Sequence, residues 1–219
     1  MIDFFYKWNS DILFITSGIL INLQYTILCI TIGLVIASFL AISKISNFKI
    51  LRLISSFYVS IFRGTPLIIQ ISMIYYVLPS ITGSTISVFL AAVLSFSLNS
   101  AAYVSEIIRS GINSVDKGQM EAGRALGLSE SDIMIHILLP QAFRNVLPAL
   151  INEFINLLKE TSLISIIGEA EILRRASIIG NQKFNYIVPM LTAAITYYLV
   201  ILILVFIASY VENKIAIKK

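Results

Sequence analysis

Residues 12–43 read ILFITSGILINLQYTILCITIGLVIASFLAIS and contain no Asp, Glu, Lys or Arg. A helix needs about 20 consecutive apolar residues to cross the hydrocarbon core of a bilayer, so this run alone places the chain in a membrane. Working outward, 185–211 is equally uncharged and reads as another crossing. The uncharged run 64–105 is too long for one crossing, and Pro79, Gly83 and the small polar residues around them mark a turn that divides it. Residues 145–168 are mostly apolar but carry Glu153, Lys159 and Glu160, and are counted as the fourth crossing. The expectation is an all-α polytopic membrane helix bundle. It forms one domain over 1–219, with spans at 12–43, 53–78, 86–108, 145–168 and 185–211 and a long loop at 109–144. Composition agrees: 58% of residues are hydrophobic, 13% are charged and the mean hydropathy is +0.89. Soluble domains average about 45–50% apolar and about 25% charged residues.

Orientation follows from the basic residues, which accumulate in cytoplasmic loops. An N-terminus outside leaves Lys44, Lys49, Arg52, Arg109, Lys117, Arg124, Arg144, Lys214, Lys218 and Lys219 inside, against Lys7, Arg174, Arg175 and Lys183 outside. The C-terminus is then cytoplasmic. The net charge of +4 reflects this arrangement rather than a nucleic-acid surface, since no clustered basic face with interleaved aromatics is visible. Residues 1–11 mix Phe4, Phe5, Tyr6 and Trp8 with Asp3, Lys7 and Asp11, a pattern suited to an interfacial helix. They do not read as a secretory signal. The single cysteine, Cys29, excludes a disulfide framework and a Cys-based metal site. No cofactor is expected.

The loop 109–144 is a polar island in an apolar chain. It reads as two short helices, 116–126 and 129–139. Gly127 suits the left-handed residue that ends the first, and Ser129 with Asp132 resembles a capping box at the start of the second. Pro140 is expected to stop the second helix. Met120, Ala122, Ala125, Leu126, Ile133, Ile137 and Leu138 give the hairpin an apolar side. His136, the only histidine, has no nucleophile beside it and reads as a surface residue. The chain also lacks the G-x-x-x-x-G-K-[ST] run that cradles nucleotide phosphates.

Inside the spans, an ionisable residue near the bilayer centre costs about 2.5–3.5 kcal/mol and normally faces a cavity or a partner. Glu153, Asn156 and Glu160 are spaced three and four apart, on one helix face. Two carboxylates and an amide along two turns can hold the ammonium and side chain of a zwitterion. Lys159 lies about 100° around the helix. Asn99 is a further polar candidate in the third span, with Glu106 two turns below. Arg63, before Gly64-Thr65-Pro66, is a candidate to meet a substrate carboxylate or to pair with Glu106 or Glu160. Interspan salt bridges are the alternative for Arg63 and Glu106. Gly64 and Pro66 are expected to loosen the helix, a break that a cavity wall tolerates and a lipid-facing backbone does not. The segment 169–183, with Glu169, Glu171, Arg174, Arg175 and Lys183, is expected outside, either as an ordinary solvated loop or as a charged rim for a partner.

Glu121-Ala122-Gly123, Gly127, Ile137, Leu139 and Pro140 reproduce the spacing of the EAA loop of ABC importer permeases, with Gly at the third small position. Phe62-Arg63-Gly64-Thr65-Pro66, Ala102-Tyr103-Val104-Ser105-Glu106-Ile107, Lys117-Gly118-Gln119 and Leu157-Leu158-Lys159-Glu160-Thr161-Ser162-Leu163 extend the likeness over nearly the whole chain. The chain resembles the polar amino acid uptake permeases, the histidine, glutamine, glutamate and arginine group, most closely the glutamine type. The resemblance implies a type I importer of the bacterial cytoplasmic (inner) membrane that works by alternating access. In it two permease subunits, identical or paralogous, pair with ATP-binding subunits that carry the hydrolysis, and an extracytoplasmic amino acid-binding protein delivers substrate. It implies that the seven loop residues couple this chain to the ATPase. Glutamine is the favoured substrate, with arginine or histidine next. The competing readings are an ion-driven secondary transporter, which usually shows an internal repeat that this chain lacks, and a non-transporting scaffold, which leaves the intramembrane carboxylates unexplained.

Overall fold

The computed structural model describes residues 2–215, with side chains from 8 to 214. Asp3, Phe4, Phe5, Tyr6 and Lys7 of the expected interfacial segment, and Lys218 and Lys219 of the inward basic count, lie outside the described side chains. The elements are α1 (Ile2–Thr16), α2 (Ile19–Ile45), α3 (Lys49–Gly64), α4 (Leu67–Thr82), α5 (Val88–Asn113), α6 (Lys117–Ala125), α7 (Glu130–Ile167), α8 (Ile172–Lys183) and α9 (Ile187–Ile215). Among the described residues, Trp8–Ile45, Val88–Asn113, Glu130–Ile167 and Ile187–Lys214 are long and apolar enough to cross a membrane. The pair α3–α4, bent by 102°, makes a fifth span if counted as one.

The core sits on α5, whose most apolar stretch is 67% buried, whereas that of α9 is 6% buried. Cys29, Gly33, Ala37 and Ala41 recur every fourth residue along α2 and face α5 with small side chains. A Cβ on Gly33 would stand 3.1 Å from Ser100 Oγ, and one on Gly111 only 2.0 Å from Val146 Cγ2 on α7. Small residues are how membrane helices approach closely, because lipid provides no hydrophobic drive to association.

The second span departs from a straight crossing at 53–78. Thr65 is extended (φ −122°, ψ 142°), as a residue before proline tends to be, and the chain turns there. Gln70 closes the break: its Nε2 donates to Phe62 O at 2.9 Å and to Thr65 O at 3.0 Å. Asn99 Nδ2 donates to Phe62 O at 3.2 Å and to Gln70 Oε1 at 3.1 Å. The carbonyls freed by the break are thus satisfied within the protein, as membrane depth requires.

Pro140 does not stop a helix, contrary to the sequence expectation. The second arm of the hairpin continues without interruption into the fourth span as α7. The reason is a π-helical stretch, Ile133–Leu138, in which the Leu139 N–H reaches back five residues to Met134 O. The wider turn relieves the clash between a proline ring and the preceding turn. The same device, Met73–Val77 with Leu78 N–H bonded to Met73 O, precedes Pro79 in α4. That helix then ends at Gly83 (φ 67°).

On the side of the bundle away from the hairpin, 169–183 is less a charged rim than a buried joint. Glu171 is fully buried and caps α8, accepting from Leu173 N at 2.9 Å and Arg174 N at 2.7 Å. It also accepts from Asn22 Nδ2 (3.3 Å) and Tyr197 Oη (3.0 Å). Burial raises the Glu171 pKa, and these four hydrogen bonds pull it down. Tyr25 Oη donates to Glu169 Oε2 at 2.7 Å, Arg175 holds Ser17 Oγ at 2.6 Å and Lys183 pairs with Asp11. Arg174 remains exposed.

Candidate functional site

The spacing of Glu153, Asn156 and Glu160 on α7 puts them on one face, and there they line a cavity of about 390 Å³ with Lys159 and with Tyr103 of α5. Its volume falls within the roughly 300–1,000 Å³ of small-molecule sites. Glu153 is 9% exposed. Among the described residues, the side chains of Glu153, Asn156, Lys159 and Glu160 make no hydrogen bond and no ion pair with protein. The lining sets two carboxyl groups against one ammonium. Its carboxyl oxygens can accept from a donor, the Lys159 ammonium can donate, and Asn156 can do both.

Arg63 and Asn99 are not brought to this cavity. Asn99 is buried and its amide is engaged by Phe62 O and Gln70, so it braces the broken span. Arg63 lines a second cavity, of about 640 Å³, toward the hairpin, together with Glu106, Arg109, Ser114 and Asn145. Glu106 is held there by Lys44 and by a two-pronged contact from Arg109 (Nε 3.1 Å, Nη2 2.8 Å), while Arg63 Nη1 stands off at 3.9 Å. The Arg63 guanidinium instead lies over the Tyr103 ring, 5.2 Å from its centroid. Tyr103, which lines both cavities, is the residue that sequence reasoning passed over. Its spacing carried the signal, because it falls four residues after Asn99 and three before Glu106 on the same helix face.

The hairpin is built as its turn residues dictate. Asp116 Oδ1 accepts from Gly118 N at 2.7 Å and Ser129 Oγ from Asp132 N at 3.1 Å, capping α6 and α7. Gly127 (φ 74°) closes α6 with Leu128 N–H bonded to Gly123 O at 3.1 Å and Gly127 N–H to Arg124 O at 3.0 Å, a Schellman pair. Arg124 Nε bonds Glu130 Oε1 at 2.7 Å across the tip. Val115, Ile133, Leu138 and Ala142 fill the inside of the hairpin. The seven loop residues divide among three places. Glu121, Ala122 and Gly127 are exposed on the tip beside Leu126, which is 79% exposed. Gly123 is buried against Ile133, whose Cγ1 would lie 2.8 Å from an added Cβ, and Ile137 packs beside it. Leu139 and Pro140 line an apolar groove with Ile108, Ile112 and Phe143. His136 is exposed, near the Asp132 carboxylate at 3.7 Å.

Residues 30–217 match the family described as binding-protein-dependent transport system inner membrane component. A protein of Rickettsia typhi whose name places it in a glutamine transport system as its permease is 49% identical over 98% of both chains. The arginine transport system permease protein ArtQ of Bacillus subtilis is 47% identical over 92% of both. A crystal structure of an amino acid ABC transporter with histidines superposes with a TM-score of 0.89 at 39% identity, covering 95% of this chain and 96% of that one. Inward-facing structures of a methionine ABC transporter share the fold, with a TM-score of 0.73 at 21% identity over 92% of this chain and 94% of that chain.

Proposed function

The chain belongs to the family of inner membrane components of binding-protein-dependent transport systems, and from that premise we propose a polar amino acid, glutamine or arginine, as the solute that it passes. It is the permease component of an amino acid ABC importer and spans the membrane several times. Two relatives, one named for glutamine and one for arginine, stand at similar identity, and the carboxyl oxygens of the cavity accept from the ammonium that both amino acids carry.

The cavity of Tyr103, Glu153, Asn156, Lys159 and Glu160 is the substrate site. The observation that carries this reading is the set of unpaired carboxylates at membrane depth, since such groups are retained where a ligand or an ion path uses them. Glu153 and Glu160 take the ammonium, Lys159 the carboxylate, and Asn156 bonds a polar side chain. The N-terminus is outside and the hairpin cytoplasmic. The exposed tip, Glu121, Ala122, Leu126 and Gly127, docks on a separate ATP-binding subunit. A second permease, a copy or a paralogue, completes the channel, and an extracytoplasmic binding protein supplies the amino acid. ATP binding pulls on α6 and on α7, which continues without a break from the hairpin to Glu160, so tip displacement reaches the site along one continuous helix.

ATP-dependent uptake into proteoliposomes containing the complete complex tests this. Glu160→Gln removes one charge-assisted contact, worth about 1.5–3 kcal/mol, and so raises the apparent KM by about 10- to 100-fold. An unchanged KM would remove Glu160 from the site.

A further inference from the structure

The two cavities share one wall, Tyr103, and differ in lining: carboxyl groups dominate one and guanidinium groups the other. On one side of Tyr103 stand Glu153 and Glu160 with Lys159. On the other stand Arg63 and Arg109 with Glu106, whose single negative charge is taken up by Lys44 and by the two-pronged Arg109 contact. The lining itself, two guanidiniums and one carboxylate, leaves this second cavity positive by one. Arg63 carries that surplus, because its 3.9 Å separation from Glu106 is too long for a hydrogen bond and its side chain is 44% exposed. Asn145, which donates to Ser114 Oγ at 2.8 Å, adds polar wall on the hairpin side.

We propose that the cavity of Arg63, Glu106, Arg109, Ser114 and Asn145 is a second amino acid station that reads the α-carboxylate on the way to the cytoplasm, with Tyr103 and the Arg63 guanidinium over its ring as the partition between the stations. This rests on the reading of the first cavity as the substrate site. A zwitterion held by its ammonium on the acidic side presents its carboxylate to the basic side once the Tyr103 ring turns away. Turning the ring breaks the cation–π contact and frees the guanidinium to take the carboxylate bidentately, a geometry that a planar guanidinium offers and an ammonium does not. The exchange of one Arg63 partner for another couples opening of the partition to capture of the solute. Glu106 is a positioning residue: engaged by Lys44 and Arg109, it keeps Arg63 near without occupying it.

The complete transporter, with its ATPase and binding protein, supplies the test. Equilibrium binding of radiolabelled glutamine, or of arginine if that is the solute taken up, is measured on the detergent-solubilised permease and ATPase without the binding protein, and uptake kinetics on proteoliposomes of the complete transporter. In Arg63→Gln the affinity and the KM stay within about twofold of wild type, while the maximal uptake rate falls at least about fivefold, because the first station empties more slowly. Arg63→Lys retains the charge without the planar stack and gives an intermediate rate. Glu160→Gln weakens binding and serves as the control on the premise. An undiminished maximal rate in Arg63→Gln overturns the proposal. A loss of affinity as large as that of Glu160→Gln also overturns it, by moving Arg63 into the first station. Normal binding by Glu160→Gln refutes the reading of the first cavity, and this proposal with it, a failure told apart by which variant shows it.

Discussion

Replacing Gly127 with valine isolates the contribution of one backbone conformation to coupling. Gly127 sits at φ 74° and an added Cβ would meet nothing within 4 Å, so the substitution causes no clash within this chain. Its cost is conformational, about 1–2 kcal/mol for a residue with a Cβ in the left-handed region. If the turn opens instead, the bonds from Leu128 N to Gly123 O and from Gly127 N to Arg124 O are lost, at about 0.5–1.5 kcal/mol each. Either route disfavours the formed tip by about 1 kcal/mol or more, a roughly fivefold or larger fall in the equilibrium constant for forming it. The assay is the ratio of amino acid taken up to ATP hydrolysed in proteoliposomes. Valine is expected to lower that ratio by about fivefold or more while the complex still assembles. Asn tolerates the left-handed region better than other residues with a Cβ, so Gly127→Asn should retain most of the coupling. A normal ratio in Gly127→Val would refute the reasoning, and an Asn variant as impaired as the Val variant would assign the effect to contact with the ATPase instead of backbone strain.

Two further outcomes concern the scaffold. Gly111→Val drives side-chain atoms into Val146, already 2.0 Å from the position of an added Cβ. Thermal unfolding in detergent should report a loss of about 1–3 kcal/mol, and Gly111→Val combined with Val146→Ala should recover part of it. Glu171→Ala removes the α8 cap, about 0.5–2 kcal/mol, leaves the Tyr197 hydroxyl without its acceptor and takes from Asn22 Nδ2 one of its three partners, Thr161 Oγ1 and Tyr197 Oη remaining. A clear fall in melting temperature is expected; an unchanged one would show that the joint is held by packing of Ile172 and Ala176 alone.

Hydropathy sufficed for the fold class because uncharged runs such as 12–43 and 185–211 admit one solution in lipid, a helix whose backbone is satisfied internally. The polar face of α7 was equally legible, since Glu153, Asn156 and Glu160 need only helical periodicity to meet. Pro140 misled because a proline reads as a helix stop unless a π-turn precedes it, and no residue in 133–138 announces one. Glu171 misled for the opposite reason: a carboxylate in a charged segment between spans looks solvated, and its burial depends on Asn22 and Tyr197, residues 149 and 26 positions away. Asn99 was read as lining a path; the broken span claims its amide instead, through Gln70, whose role depends on the 102° bend. Tyr103 required only that the face shared by Asn99 and Glu106 be followed one step further.

The most direct test of the account is ATP hydrolysis by the permease reconstituted with its ATPase and its binding protein, measured with glutamine, arginine, histidine and glutamate in turn. Stimulation by glutamine or arginine, abolished or shifted to higher concentration in Glu160→Gln, is the predicted result. An intact complex whose hydrolysis responds to none of the four would contradict it.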